Sequence, residues 1–352
     1  MFPGSIRTCS HPASRKKGHS KSRAIGAAIK APSEALGAKR FEAKPTTICP
    51  MNMGRRSILC PSSVGSKERA STNMNVALTG ASGFIGREVT RQLTAAGHVV
   101  RAISLRTVPG PDALAGINAV IHLAGEPVAQ RWTASARDRI LRSRVEGTRS
   151  LVAAMRAHPP QVLISASAVG YYGSRGDEIL TESSPPADDF LGRIAVAWEA
   201  EAQAAEPLGV RVARLRLGMV LGKGGGALDR MVVPFKLGVG GRLGRGNQWM
   251  SWIYMDDLIA LIAFLMKEST VRGVFNATSP FPVTNREFTR ALAAAVHRPA
   301  IFPVPAFALK LMFGEMAEIM LASQRAFPDA AQRAGFVFNH PDIFAVLAQA
   351  LA

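Results

Sequence analysis

From Asn75 onward, short runs of Val, Ile, Leu and Ala alternate with longer stretches in which apolar residues recur every three or four positions. Short apolar runs without polar alternation suit strands buried on both faces, and the longer period suits the helices that cover them. The pattern predicts a doubly wound α/β fold with a Rossmann-type parallel sheet. Val76-Ala-Leu78 is the first strand, Val89, Leu93 and Ala96 share a helix face that Gly97 ends, and residues 99–103 form the next strand. Further strands are expected at 119–125, 162–167 and 210–217, a long basic helix at 137–157 and another helix at 194–205. Beyond Gly222 the texture changes. Glycine-rich stretches at 222–226 and 238–246 lead into Trp249-Met-Ser-Trp252, and residues 303–352 read as Pro-started helices rich in Leu, Met and Ala. Three parts follow: a leader at 1–73, a nucleotide-binding domain at 74–222, and a smaller substrate lobe with a C-terminal helical extension at 223–352.

Charge separates the leader from the rest. The chain of 352 residues has a formal charge of +18, but the first 73 residues hold 14 Lys and Arg against three acids, Glu34, Glu42 and Glu68. The remaining excess is ordinary for a globular protein, so the total is a weak argument for nucleic acid, and none is expected as a partner. An acid-poor basic leader resembles a transit peptide, whereas Met74, opening directly into a strand, resembles a natural start with an over-extended gene model before it. The cytoplasm is the expected location, or the plastid stroma if residues 1–73 are a transit peptide. The longest apolar run, residues 258–266, is too short to span a bilayer, so no membrane partner is expected. Cys9, Cys49 and Cys60 all lie in the leader, which leaves the rest without a disulfide framework or a thiol mechanism.

Candidate chemistry begins at Thr79-Gly-Ala-Ser-Gly-Phe-Ile-Gly86, between a predicted strand and a predicted helix. In that setting Gly80 permits the tight turn, Gly83 lets backbone approach a pyrophosphate, and Gly86 lets the helix pack close to the sheet. Ser82, Phe84 and Ile85 complete the loop. An acid at the end of the second strand would hold a ribose hydroxyl, but Ser104-Leu-Arg106 offers a hydroxyl and a cation, which favours a 2′-phosphate and hence NADP. His122 reads as a core or cofactor-flanking residue, Asp188 and Asp189 as turn and helix-start residues, and no spacing of His, Asp and Glu indicates a metal. Trp249 and Trp252 are expected on one face of an extended segment, lining a pocket or packed in the core.

Several ordered stretches carry a resemblance: TGASGFIG, HLAGEP, RWTASARDRILRSRVEGTRSLV, SASAVGYYG, GMVLGKGGGAL and PFKLGVGGRLGRGNQWMSWI. From Met74 to the C-terminus the chain resembles the atypical short-chain dehydrogenase/reductases of the epimerase/dehydratase type, the SDR39U family. The resemblance implies an NADP-binding Rossmann fold with a C-terminal helical extension, and cofactor contacts at Gly80 to Gly86, Leu123, Ala124, Arg144 and Val220. Where that family usually has a Ser-Arg pair, Leu105 intervenes between Ser104 and Arg106. The chain is also short between Arg106 and Ala119, which reduces a strand and helix to a loop.

Related extended dehydrogenases use Ser, Tyr and Lys, the Lys lowering the Tyr pKa so that Tyr moves a proton. Ser167 fits the Ser position. Counting back from Glu199 puts Leu191 and Ala195 at the other two, so both groups are missing. Tyr171 and Tyr172 are the nearest phenols, either as acids or as an aromatic wall. Two functions fit: an oxidoreductase or epimerase acting on a small polar, sugar-like molecule, or an NADP-holding regulator that works through a protein partner; the resemblance implies for the second a cell- or plastid-division factor, the role described for plant members of that family. A homodimer is possible in either case.

Overall fold

The computed structural model describes residues 73–352. The leader, its cysteines and the two readings of its origin lie outside the described residues. The chain opens with β1 (Asn75–Thr79), α1 (Phe84–Ala95) and β2 (Val99–Ile103). β3 (Ala119–His122), α2 (Ala134–Ala154) and β4 (Val162–Ala168) follow. After the two-residue β5 (Ile179–Leu180) come α3 (Phe190–Gln203), β6 (Arg211–Leu217), β7 (Met219–Leu221) and α4 (Gly226–Lys236). β8 (Trp249–Met250), β9 (Trp252–Tyr254), α5 (Met255–Lys267) and β10 (Gly273–Ala277) lead to β11 (Val283–Thr284) and α6 (Asn285–Ala295). The chain ends with α7 (Ala306–Phe313), α8 (Met316–Leu321), β12 (Arg325–Ala326), α9 (Asp329–Arg333) and α10 (Ile343–Leu351).

Six strands form a parallel sheet in the order β10-β6-β4-β3-β1-β2. Alternate residues along each strand feed two cores. Val76 and Leu78 meet Val89 and Leu93 of α1 and Leu258, Ile262 and Leu265 of α5, whereas Ala77, Val120 and Leu163 face Leu151 of α2, Met155 just past its end and Ala202 of α3. The result is three layers with a helix pair on each face. The apolar run at 258–266 is explained by this position, since α5 lies between the sheet and the C-terminal segment and is buried over most of its surface.

Between β2 and β3 the chain has a single 3-10 turn, Pro111–Leu114, with Leu114 buried beneath it. The strand and helix that a longer connection would supply are replaced by this loop, and the sheet ends at β2. The boundary expected after Gly222 does not divide the layers. β10 and α5 come from the far side of that cut yet belong to the main sheet and its core. A second apolar cluster, with Leu228, Phe235, Trp252, Phe288 and Leu347, unites α4, β9, α6 and α10. Asp257 at the start of α5 ties the C-terminal segment to it by accepting from the backbone amides of Asn339 and His340, each at 3.0 Å.

Trp249 and Trp252 do not share a face. They are three residues apart, which puts them on opposite sides of extended chain, and Ser251 separates two different strand pairs. Trp252 is fully buried in the second cluster, and the Trp249 indole donates to Asp177 at 2.8 Å.

Candidate cofactor cleft

The sheet order reverses between β1 and β3, so the loops leaving their C-terminal ends diverge and open a crevice. Gly80 leaves β1 with φ +74°, a conformation that disfavours a side chain, and a Cβ there would lie 2.8 Å from the Leu123 carbonyl carbon. A Cβ on Gly86 would lie 2.1 Å from the Gly80 carbonyl oxygen, so the first turn of α1 can sit against the strand only with glycine there. α1 begins at Gly83 without a side-chain cap and without an acid in its first turn. Its first amides and positive dipole end therefore face the crevice.

The crevice holds about 320 Å³ and is lined by the glycine turn, Ile85, Leu123, Val220, Arg144, Ser167 and Trp198. The Arg144 guanidinium reaches in from α2, its Nη1 donating to the Glu126 carbonyl at 2.9 Å, and packs over the Trp198 ring. Gly125 leaves room for it, since a Cβ would come within 3.3 Å of its central carbon. Burial lowers the Arg144 pKa to about 10, with Glu126 acting in the opposite sense. It remains a cation at neutral pH.

His122, at the end of β3, holds this wall together. Thr148 donates its one hydroxyl hydrogen to the Arg144 carbonyl, so at Nε2 of His122, 2.9 Å away, Thr148 accepts. The tautomer is then Nε2–H, and Thr79 must donate to Nδ1 at 2.7 Å. The Thr79 oxygen in turn accepts from the amides of Leu123 and Ala124 at 3.2 and 3.3 Å. Full burial, reinforced by the nearby Arg144 charge, lowers the His122 pKa to about 4. The ring is neutral and locks the turn after β3 to β1 and α2.

At the other end of the crevice the Ser167 hydroxyl donates to Glu199 Oε1 at 2.7 Å. Both Glu199 oxygens are held by Arg216, at 2.8 and 3.0 Å, in a pair almost wholly removed from water. Arg216 also donates to the Tyr172 hydroxyl at 2.9 Å, which donates to Asn276 at 2.7 Å. Tyr172 is thus fully buried with its hydroxyl engaged, and burial outweighs Arg216 to push its pKa up to about 12. Tyr171 stacks its ring on the Arg216 guanidinium, 3.4 Å from the ring centre.

The NAD dependent epimerase/dehydratase family model matches residues 76–278, and a domain of unknown function, DUF1731, matches residues 304–350. The chain belongs to the NAD dependent epimerase/dehydratase family. It is similar to the chloroplastic epimerase family protein SDR39U1 homolog of Arabidopsis thaliana, 37% identical over 81% of this chain and 87% of the relative. It is also similar to epimerase family protein YfhF of Bacillus subtilis, 36% identical over 79% of this chain and 98% of the relative. Among solved structures, human epimerase family protein SDR39U1 with NADPH is similar at 32% identity and TM-score 0.74, over 79% of this chain and 99% of the human one. A nucleoside-diphosphate sugar epimerase from Corynebacterium glutamicum is similar at 34% identity and TM-score 0.67, over 80% of this chain and 59% of that one.

In this family member the crevice brings together Gly80, Gly83, Ile85, Gly86, Leu123, Arg144, Ser167 and Val220 from the residues expected to act. Ser82 is exposed beside it, and Phe84 turns its ring away, against Gly225, where a Cβ would come within 2.5 Å. Only the Phe84 backbone can face the crevice, while its ring holds the 222–226 loop over α1. Ala124 contributes its amide to the Thr79 lock and does not line the cavity. Leu105 points inward onto the α2–α3 core, which leaves Ser104 and Arg106 both exposed on the outer side of β2. Tyr172, expected near the chemistry as an acid or a wall, stands outside the cavity lining, because Arg216 and Asn276 draw its hydroxyl into the core; Tyr171 is also outside that lining. Leu191 packs beside Gly170, and Ala195 is buried, so α3 presents no phenol or amine at those places. Asp189 caps α3 by accepting from Gly192, and Asp188 pairs with Arg193. Lining residues not expected from the sequence are Trp198 and the small or apolar Gly125, Ala166, Ala168, Leu217 and Gly218; the signal for Trp198 was its place one residue before Glu199, on the helix face of Ala195. Among the described residues no group of three His, Cys, Asp or Glu could hold a metal.

Proposed function

We propose that the protein binds NADP(H) in this crevice and acts as an oxidoreductase or epimerase on a small polar, sugar-like molecule. The observation that carries the reading is the pairing of an uncapped helix N-terminus behind a glycine-rich turn with the Arg144 cation, a cradle for a dinucleotide pyrophosphate. The 32% identical human protein crystallised with NADPH supports it. A cofactor of this kind supplies hydride donation and acceptance. Gly80, Gly83 and the first amides of α1 would hold the pyrophosphate, and Ser104 and Arg106, on one outward face, would meet the 2′-phosphate. Leu123 and Val220 would wall the rings, excluding water. Ser167 is the polar side chain at the reacting end. Its hydrogen is committed to Glu199, so it presents lone pairs and would accept from a hydroxyl or amide.

A regulator that holds NADP without turnover is the second reading, favoured by the apolar Leu191 and Ala195 on α3. Among the described residues no helix is long and apolar enough to cross a membrane; the cytoplasm, or the plastid stroma, is the compartment we propose. The deciding experiment titrates the protein with NADPH and NADH, then follows nicotinamide absorbance and product stereochemistry with carbonyl compounds and nucleotide sugars. Tight NADPH binding with turnover supports the enzyme; tight binding without change on any substrate favours the regulator. Failure to bind either dinucleotide sinks both.

A further inference from the structure

Among the described residues the indole nitrogen of Trp198 is buried and meets no hydrogen-bond acceptor. The side chain is only 5% exposed, lines the crevice, and meets the His122 ring edge to face with centres 6.3 Å apart. Its neighbours cannot serve it. His122 gives its Nε2 hydrogen to Thr148 and fills its Nδ1 lone pair from Thr79. The carboxylate of Glu199, the next residue, is taken up by Ser167 and Arg216. Arg144, which lies over the Trp198 ring, has only donors to offer. A buried donor without an acceptor gives up its hydration for nothing, and Phe would pack against the same neighbours without stranding one.

Arg144 points to the same conclusion. Its hydrogen bonds to the carbonyls of Glu126 and Ile140, at 2.9 and 3.3 Å, both use Nη1, which leaves Nε and Nη2 for a ligand. The wall of the crevice therefore collects donors, and the acceptors have to come from what fills it. Position says which part of a dinucleotide supplies the one for Trp198. α3 places Leu191, Ala195 and Trp198 on successive turns of one face. The Arg144 guanidinium lies 5.1 Å from the indole centre, and Glu199, adjoining Trp198, holds Ser167. The indole thus stands between the cation at the pyrophosphate and the serine at the reacting end. In a dinucleotide the group between pyrophosphate and nicotinamide is a ribose.

We propose that Trp198 holds the nicotinamide ribose, its indole N–H donating to a ribose hydroxyl oxygen, a hold that Ala195 cannot supply from α3. The inference rests on the NADP(H) reading. A hydroxyl gives the indole its acceptor without bringing a charge into the wall. The nitrogen is shut off from water, and the movable group over its ring is the Arg144 guanidinium, so the hold forms as the pyrophosphate draws Arg144 aside. The adenosine 2′-phosphate plays no part in it.

The test is calorimetric titration of the full chain, and of Trp198→Phe, with three ligands: NADPH, 2′-phospho-ADP-ribose, which keeps the ribose and lacks the nicotinamide, and 2′-phospho-ADP, which lacks both. The variant should bind the first two about tenfold more weakly than the parent, about 1.4 kcal/mol, and the third as the parent does. Equal loss for all three would mean that the ring only positions Arg144, loss confined to NADPH would move the contact to the nicotinamide, and no loss would remove the contact; each overturns the proposal. A second reading needs no variant at 198. The chain has four tryptophans, whose indole N–H signals can be assigned by substituting the other three one at a time. The Trp198 signal should move downfield with 2′-phospho-ADP-ribose and stay in place with 2′-phospho-ADP; an unmoved signal, or the same movement with both, overturns the proposal even where Trp198→Phe does not fold. A parent that binds none of the three ligands overturns the cofactor reading and this one with it, whereas a parent that binds all three with the wrong pattern overturns this one alone.

Discussion

Acidification should destabilise this protein through His122. In the folded chain its pKa lies at about 4, because the ring is fully buried beside Arg144, while in the unfolded chain it returns to the ordinary value near 6.5. The folded pKa is depressed, so below about pH 6.5 the unfolded state takes up a proton that the folded state refuses. Stability is then lost as pH falls, and the loss stops near pH 4 once both states are protonated. One proton of difference gives a slope of about 1.4 kcal/mol per pH unit, and the window between the two pKa values gives about 3 kcal/mol in all. Other groups contribute to the acid dependence, among them Glu182, whose burial raises its pKa and works in the opposite direction. The measurement is therefore a difference: urea unfolding followed by circular dichroism at steps from pH 7 to pH 4.5, for the parent and for His122→Asn. The variant should be less stable at pH 7, having lost the bridge between Thr79 and Thr148, but its stability should fall less steeply with acid. Parallel curves for the two proteins would refute the buried neutral imidazole and the lock built on it.

The glycine turn separates binding from folding. Gly83→Val, where a Cβ would lie 3.2 Å from the Gly80 oxygen at the mouth of the crevice, should weaken NADPH binding at least about tenfold with little change in unfolding midpoint, as read by fluorescence titration and thermal melts. Gly86→Val places its Cβ within 2.1 Å of backbone and should lower the midpoint itself. Arg144→Met should cost NADPH about 10- to 100-fold in affinity, the worth of charge-assisted hydrogen bonds to a phosphate, with a shallower salt dependence by calorimetry. Glu199→Gln leaves the Arg216 guanidinium buried without its counter-charge and should destabilise the fold by about 3–5 kcal/mol in urea unfolding. Ser167→Ala removes one accepting hydrogen bond at the reacting end and should slow any NADPH-dependent turnover by about tenfold while leaving NADPH affinity unchanged in direct titration.

Much of the architecture was legible in the chain because it is written in near neighbours. The alternation around Val76, Val120 and Leu163 and the helical period around Val89 and Leu93 need only one element at a time, and the glycines at 80, 83 and 86 gain their meaning from the strand before and the helix after. The missing strand before Ala119 was visible as a shortage of residues. The cradle half of the site was therefore readable in sequence order.

The other half depended on partners far apart in the chain. Ser167, Glu199, Arg216, Tyr172 and Asn276 come from five segments, and only their meeting beside β4 turned the serine hydroxyl toward a carboxylate and drew Tyr172 out of the crevice. The two tryptophans parted because a strand break at Ser251 sent each to a different partner. The exposure of Phe307 and Leu311 on α7 was hidden for the opposite reason. Phe307 and Leu311 have the spacing of core residues, and sequence spacing records which side of a helix is apolar but not what stands opposite it. Local pattern sets each element and its apolar side; which surfaces are buried, and which charges end up paired away from water, is decided only when the elements pack.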